Sequence, residues 1–272
     1  MLEAQAIVQV VVLALIQGLS EFLPVSSSAH LILGSKIFGW SDQGLRFDVA
    51  THCGTLFAVL AYYRVRLVNL ATSSVRGVLQ GETNDELRLV GRIVIATLPV
   101  LIAGLLFKSA VEAHLRSVTV IGFATVVFGA LLLVADKMGK QTADESEVSV
   151  YQALLIGIAQ ATALIPGTSR SGITITAALL FGFTRRASAN FSFLLAIPTI
   201  SAATVLLGMD ALSRPVDDVN WFYLGTGVLV SFLSAYLCID AFLKWIEKIG
   251  MTPFVIYRFL IGGVLLAVAY LA

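Results

Sequence analysis

Charge is what this sequence has least of. Only 13% of its residues are Asp, Glu, Lys or Arg, against roughly 25% in an ordinary soluble domain. With 58% hydrophobic residues and a mean hydropathy of +0.90 over 272 residues, a water-soluble fold would lack the polar surface to cover its core. Lipid is the simpler solvent. Cysteine is almost missing: Cys53 and Cys238 both lie in apolar stretches, which excludes a disulfide framework and zinc spacing and leaves two small core residues. No basic run is present and the net charge is +1, so nothing points to nucleic acid. A cleavable signal peptide is not expected, because Glu3 is the only early charge and the first apolar run leads into Gln17 and Glu21 without a small-residue cleavage pattern.

What is present is a series of long apolar runs. A membrane-crossing helix needs about 20 mostly apolar residues. Six segments qualify: Phe47–Tyr63, Leu89–Phe107, Val118–Ala135, Ala187–Gly208, Trp221–Phe242 and Pro253–Leu271. They are too long and too uniformly apolar for barrel strands. Two further stretches, Ala4–Phe38 and Val150–Phe183, are interrupted by Pro24 and Pro166 within polar clusters. Non-helical backbone at membrane depth survives only where protein or water satisfies it, so each reads as a re-entrant hairpin of two short helices. One kinked span plus a loop is the other reading. The expected fold is all-α: a polytopic membrane bundle with six full spans and two re-entrant helical hairpins, one integral membrane domain over residues 1–272.

This topology puts the polar loops Arg64–Arg88 and Lys137–Glu147, the pair Arg185–Arg186 and the segment Lys244–Lys248 on one side. That side carries ten Lys or Arg (Arg64, Arg66, Arg76, Arg88, Lys137, Lys140, Arg185, Arg186, Lys244, Lys248), against five opposite (Lys36, Arg46, Lys108, Arg116, Arg214). The bias places the first side in the cytoplasm and both termini outside.

The broken segments align with each other without gaps: Gly18-Leu-Ser-Glu-Phe-Leu-Pro-Val-Ser-Ser-Ser-Ala-His30 on Gln160-Ala-Thr-Ala-Leu-Ile-Pro-Gly-Thr-Ser-Arg-Ser-Gly172. Three expected spans separate them, and an odd number of crossings inverts the second copy. The chain therefore reads as an inverted repeat, about 4–135 and about 150–271, of the kind that builds a polar site at the bilayer midplane.

The chemistry lies in those two segments. Gln17 and Glu21, four residues apart, share a helix face, and a carboxylate in an apolar stretch is costly unless paired, solvated or metal-bound. Ser26 or Ser27 is the natural N-cap where the helix restarts after Pro24. Ser27 and His30 fall one turn apart, and His can act as acid or base near neutral pH. In the second segment Thr168, Ser169, Arg170 and Ser171 follow Pro166, with Thr174 further along. Hydroxyls, free helix-start N–H groups and an Arg together describe an oxyanion cradle. Arg170 can equally pair with Glu21, and both roles are compatible. Arg258, inside the last span, reads as snorkelling to the interface or as a site residue. Asp48 suits a helix start, His52 could line the cavity, and His114 looks like a loop residue.

Gln17-x-x-x-Glu21, Pro24-Val-Ser-Ser-Ser-Ala-His30 and Pro166-Gly-Thr-Ser-Arg-Ser-Gly172 resemble the signature motifs of the undecaprenyl pyrophosphate phosphatase (bacitracin-resistance) family. Phe47-Asp-Val-Ala-Thr-His-Cys-Gly54 and Pro253-Phe-Val-Ile-Tyr-Arg258-Phe look similar too. The resemblance implies hydrolysis of undecaprenyl pyrophosphate to the monophosphate carrier, recycled for cell-wall synthesis, with bacitracin resistance as a consequence. It implies the bacterial cytoplasmic membrane, a site facing outward, and a prenyl pyrophosphate among membrane lipids as partner. Homodimerisation stays open. It maps catalytic roles onto Glu21, Ser27, His30 and Arg170, and substrate binding onto Gln17, Ser26, Thr168, Ser169, Ser171, Thr174 and Arg258. A divalent cation of the Mg²⁺ or Ca²⁺ type is expected on Glu21 and Gln17, although Gln at 17, where some members have Glu, weakens a two-carboxylate site. Ser27, water and His30 all remain open as nucleophile. A transporter or lipid flippase is the competing class, since the same architecture serves both.

Overall fold

The computed structural model describes residues 2–27, 29–30, 40, 43–213 and 220–271, without the side chains of residues 2–4, 108 and 112. The remainder of the first expected hairpin beyond His30, and Lys36 and Arg214 of the outer charge count, lie outside the described residues. Those residues form ten α-helices: α1 (Leu2–Phe22), α2 (Leu45–Tyr62), α3 (Arg64–Gln80), α4 (Asp85–His114), α5 (Val118–Met138), α6 (Val150–Ala161), α7 (Arg170–Leu180), α8 (Arg185–Ser213), α9 (Trp221–Ile249) and α10 (Thr252–Leu271). Among them there is no strand, only an isolated bridge between Ala143 and Phe183.

Six of the helices are long and apolar enough to cross a membrane: Gln5–Phe22, Asp85–Phe107, Val118–Met138, Arg185–Ser213, Trp221–Ile249 and Thr252–Leu271. At most 39% of any of these windows is buried in the protein, so their apolar residues mostly face outward and need lipid around them. Five coincide with expected spans. The sixth is α1, which runs 21 residues, about 31 Å at 1.5 Å per residue, where a short half-helix was expected. Nothing breaks the helix until Pro24, and it ends at Phe22, because the residue before a proline avoids helical geometry. The expected span Phe47–Tyr63 is instead the 18-residue α2, whose Arg46, Asp48, Thr51, His52 and Thr55 lower its hydropathy.

A second correction concerns Arg64–Arg88, expected as a loop. Most of it is α3, a 17-residue helix with Leu70, Ser74 and Gly77 buried. No proline interrupts it, and it stops at Gly81 in the left-handed conformation (φ 69°), the usual glycine terminator. His114, expected in a loop, is the last residue of α4. Asp48 does occupy the first turn of α2.

The second broken stretch consists of two short helices, α6 with 12 residues and α7 with 11, neither able to cross a bilayer of about 30 Å. Residues Ser171–Leu179 of α7 are all buried. A helix enclosed on every side belongs at the centre of a bundle, and α7 packs against α5, α6 and α8. At one end of the bundle Asp136, fully buried, holds Arg185 by two bonds of 2.6 and 3.2 Å and accepts the Met251 amide at 3.3 Å. Arg185, counted among the charges of the side expected in the cytoplasm, is the partner of a buried carboxylate joining α5, α8 and the α9–α10 turn.

Candidate functional site

Two proline breaks meet inside the bundle. In the first, α1 stops at Phe22, Val25 N–H donates to Leu23 O at 2.8 Å, Ser26 takes φ 72°, and the chain is helical again from Ser27. In the second, a 3₁₀ turn at Thr162–Leu164 leads through Ile165, Pro166, Gly167 and Thr168 to Ser169 at φ 71°, and α7 starts at Arg170. Ser169 Oγ accepts the Gly172 amide at 3.1 Å, capping α7. Both restarts follow a serine in the left-handed region, an uncommon conformation for a non-glycine residue. Gly167 has φ 97°, and a Cβ there would sit 2.4 Å from Ile121 O, so only glycine fits this close approach.

Arg258 holds the two breaks together. It is 0% exposed. Its Nη1 donates to Pro24 O (3.3 Å) and Thr168 O (3.0 Å), its Nη2 to Gly167 O (3.0 Å), and its Nε to Thr125 O (3.0 Å). Snorkelling is therefore corrected: carbonyls freed by two non-helical turns need donors in an apolar interior, and the guanidinium fork supplies them. Ser171 Oγ adds a bond to Leu23 O at 2.9 Å.

Beside this staple lies a second group of polar side chains bonded to one another. Arg170 Nη2 donates to Glu21 Oε1 at 3.0 Å, its Nη1 to Ser192 O at 3.1 Å, and its guanidinium lies 5.9 Å from the centre of the Phe22 ring. The side chains of Arg170 and Glu21 are 12% and 9% exposed, so the pair is largely desolvated. Gln17 Nε2 donates to Glu21 Oε2 at 2.9 Å. His52 Nε2 stands 3.4 Å from Gln17 Nε2 and 3.9 Å from Glu21 Oε2. Thr174 and Ser192 share a hydroxyl contact of 2.7 Å. The Thr168 hydroxyl is buried without a partner, which marks it as a group awaiting an acceptor or donor.

His30 sits apart from this group. Its Nδ1 lies 2.6 Å from Ser26 O, and since a carbonyl only accepts, Nδ1 carries the hydrogen. Its Nε2 is 2.8 Å from Tyr257 Oη, with the rings stacked at 5.5 Å. Ser27 opens the restarted helix and is half-buried. Among the described residues no hydrogen bond or ion pair links His30 or Ser27 to Glu21 and Arg170. Sequence reasoning assigned no role to Tyr257, although it directly precedes Arg258 in the motif that begins at Pro253, and gave His52 no partner.

The architecture and the two motif clusters can be compared with known proteins. The family model described as Bacitracin resistance protein BacA matches residues 10–264. The chain belongs to this family. The BacA match encloses both breaks, Glu21, Arg170 and Arg258. Among BacA-like relatives, the "Undecaprenyl-diphosphatase" of Aliivibrio salmonicida (strain LFI1238) is 54% identical over 256 residues, covering 94% of this chain and 95% of the relative. That of Saccharophagus degradans (strain 2-40) is 53% identical over 266 residues, covering 98% and 99%.

Proposed function

We propose that this chain is a multi-pass membrane phosphatase that hydrolyses undecaprenyl diphosphate to undecaprenyl phosphate and inorganic phosphate. The observation that carries the reading is the near full-length likeness, above 50% identity, to two relatives named for that activity. The Arg170–Glu21 pair, 3.0 Å apart where two proline breaks meet, supplies a matching chemistry. A fixed guanidinium is the usual partner of phosphate oxygens, and the product recycles a lipid carrier for cell-wall synthesis. The flippase alternative loses ground to relatives named as hydrolases.

The finer architecture belongs to the same proposal: one integral membrane domain built as an inverted repeat with two re-entrant hairpins. Its support is the exchange of partners. α1 packs on α9 of the second half, α6 packs on α4 of the first, and α5 pairs with α10. A positive-φ serine precedes each helix restart. The ten-to-five excess of Lys and Arg on one side supports a cytoplasmic membrane orientation with the site outward.

In the mechanism, Arg170 binds the diphosphate oxygens and stabilises charge that builds on them, with Ser169, Ser171, Thr168 and Thr174 lining the second break. Ser27 Oγ or a water oxygen bonds to the terminal phosphorus. The bond from that phosphorus to the bridging oxygen breaks, and the bridging oxygen leaves with the prenyl monophosphate. Where Ser27 is the nucleophile, a water oxygen then bonds to the same phosphorus, the bond to Ser27 Oγ breaks, and Ser27 regains its proton as inorganic phosphate leaves. His30, its Nδ1–H held by Ser26 O, takes the nucleophile's proton at Nε2, which exchanges the Tyr257 hydroxyl for the nucleophile to do so. Such transfers depend on positioning and charge stabilisation more than on covalent chemistry. A divalent cation held by Glu21 and Gln17 would neutralise diphosphate charge when bound. The residues fit a shared site: the Glu21 carboxylate and the Gln17 amide, 2.9 Å apart, offer two oxygens, and substrate oxygens and water would fill the rest of the shell. In this reading Arg258 positions the breaks rather than touching substrate.

The test is phosphate release from a prenyl diphosphate by the purified protein in detergent. Glu21→Ala and Arg170→Ala should each lose at least the 10²–10³-fold typical of removing one electrostatic stabiliser. Near-wild-type turnover in either variant removes that residue from the catalytic machinery.

A further inference from the structure

We infer that His52 is a ligand of the divalent cation of this site, completing with Glu21 and Gln17 a mixed nitrogen–oxygen set. The inference deepens the phosphatase reading and rests on it for the identity of the site.

Three observations carry it. The first is the orientation of the ring. His52 Nδ1 is 2.8 Å from Asp48 O, and a carbonyl accepts only, so Nδ1 bears the hydrogen and Nε2 presents a lone pair. A ring whose far N–H is tied to a backbone carbonyl is the arrangement that orients metal-binding histidines. The second is the spacing. Nε2 lies 3.9 Å from Glu21 Oε2. Donors of one ion each stand about 2.0–2.2 Å from it, so two cannot be more than about 4.4 Å apart. The third is what stands between them. Gln17 Nε2 is 2.9 Å from Glu21 Oε2 and 3.4 Å from His52 Nε2. An amide nitrogen, the positive end of a dipole, faces two acceptor atoms, the surroundings a cation takes, and the amide oxygen is the other atom the same side chain can offer there. Gln17 is 2% exposed and His52 retains 29% side-chain exposure, so the position is fixed at its base and reachable from one side. Glu21 Oε1 remains committed to Arg170 at 3.0 Å.

One imidazole nitrogen, one carboxylate oxygen and one amide oxygen leave the rest of the shell to substrate oxygens and water. With glutamine at position 17, the second strong ligand comes from α2 rather than from α1.

The experiment uses the whole protein in detergent with Mn²⁺ alone and with Mn²⁺ plus inorganic pyrophosphate, read by pulsed electron paramagnetic resonance. Wild type should show ¹⁴N modulation from a directly bound imidazole in at least one arm. His52→Gln should abolish the modulation and weaken Mn²⁺ binding by more than the roughly tenfold that loss of a supporting group costs. The sequence has 3 histidines, so a His30→Gln, His114→Gln double variant that keeps the modulation assigns it to His52 even where His52→Gln folds poorly. Modulation that persists without His52, disappears in the double variant, or is absent from wild type in both arms overturns the inference. Phosphate release measured on the same wild-type preparation separates the two readings. Release without nitrogen modulation removes His52 and leaves the phosphatase; modulation without release supports the ligand and removes the phosphatase.

Discussion

Arg258→Met removes a buried guanidinium and replaces its volume with an apolar chain. Four bonds are lost, to Pro24 O, Gly167 O, Thr168 O and Thr125 O, all between 3.0 and 3.3 Å. Thr125 lies inside α5, where its carbonyl can keep a helical partner. The other three carbonyls belong to the breaks. Gly167 O keeps the Thr125 hydroxyl at 3.4 Å, so Pro24 O and Thr168 O are the acceptors left unsatisfied, at about 1–3 kcal/mol each. Removing the charge recovers part of its burial penalty, which is several kcal/mol for an ion in a protein interior. The balance puts the loss at about 2–4 kcal/mol, within the upper range of what single substitutions produce. Unfolding titrations in mixed micelles measure it directly. The same variant separates two roles. A staple predicts lower stability with KM for prenyl diphosphate nearly unchanged in the folded fraction; a substrate ligand predicts the reverse. A loss below about 1 kcal/mol would refute the reasoning, because it would mean that the recovered burial penalty cancels the cost of two unsatisfied carbonyls.

Other outcomes follow from other contacts. Tyr257→Phe removes the hydroxyl 2.8 Å from His30 Nε2 and should lower turnover by about tenfold, a fraction of the roughly 10²–10⁴ that a general acid–base group supplies; unchanged kcat and pH profile would separate Tyr257 from His30's role. Gly167→Ala forces a Cβ to 2.4 Å from Ile121 O at φ 97° and should destabilise the protein by at least 1–3 kcal/mol, the cost of one strained backbone position, read in the same titration. Glu145, in the loop before α6, is pushed up from 4.5 to about 7 by burial, helped by its hydrogen bond with Asp144. Because the folded state binds this proton more tightly, the carboxylate costs nothing below pH 4.5 and its penalty grows to full size above about 7. Glu145→Gln should therefore stabilise the protein by about 1–3 kcal/mol at pH 8 and leave it unchanged at pH 4; equal effects at both would contradict the burial argument.

The long apolar runs made the bundle legible, because a 20-residue run without breakers has few other uses. Pro24 and Pro166 marked the breaks for an equally local reason, the missing N–H and the restricted preceding residue. Glu21 and Arg170 announced themselves by their cost in an apolar setting, and they do meet at 3.0 Å. What could not be read was anything that depends on which helix faces which. Arg258 looked close enough to a membrane surface to reach it, and only the packing of α10 against α5 turns it inward. His52 and Tyr257 lie in stretches that look like the family's, and His52 could be expected to line the cavity, but their partners come from other elements and could not be read. The length of α1 was missed because a short break pattern was extended to both segments, whereas only the second is flanked by two short helices.

The buried polar groups therefore divide by what they bond. Arg258 and Ser171 bond backbone carbonyls of the breaks, partners that exist in every state of the protein and cannot be released without undoing the turns. Glu21, Gln17, Arg170 and His52 face chiefly one another, and side-chain partners can be exchanged for phosphate oxygens or a cation without touching the backbone. Arg170 combines the two: Nη1 is fixed to Ser192 O at 3.1 Å while Nη2 holds Glu21 Oε1 at 3.0 Å. Nη2 also reaches Glu21 O at 3.4 Å. The two carbonyls thus set the position of the guanidinium, and the shorter bond of Nη2 can pass from carboxylate to diphosphate. On the proposed function this is what distinguishes the two arginines: the same forked donor, placed against carbonyls, builds the site and, placed against a carboxylate, works in it.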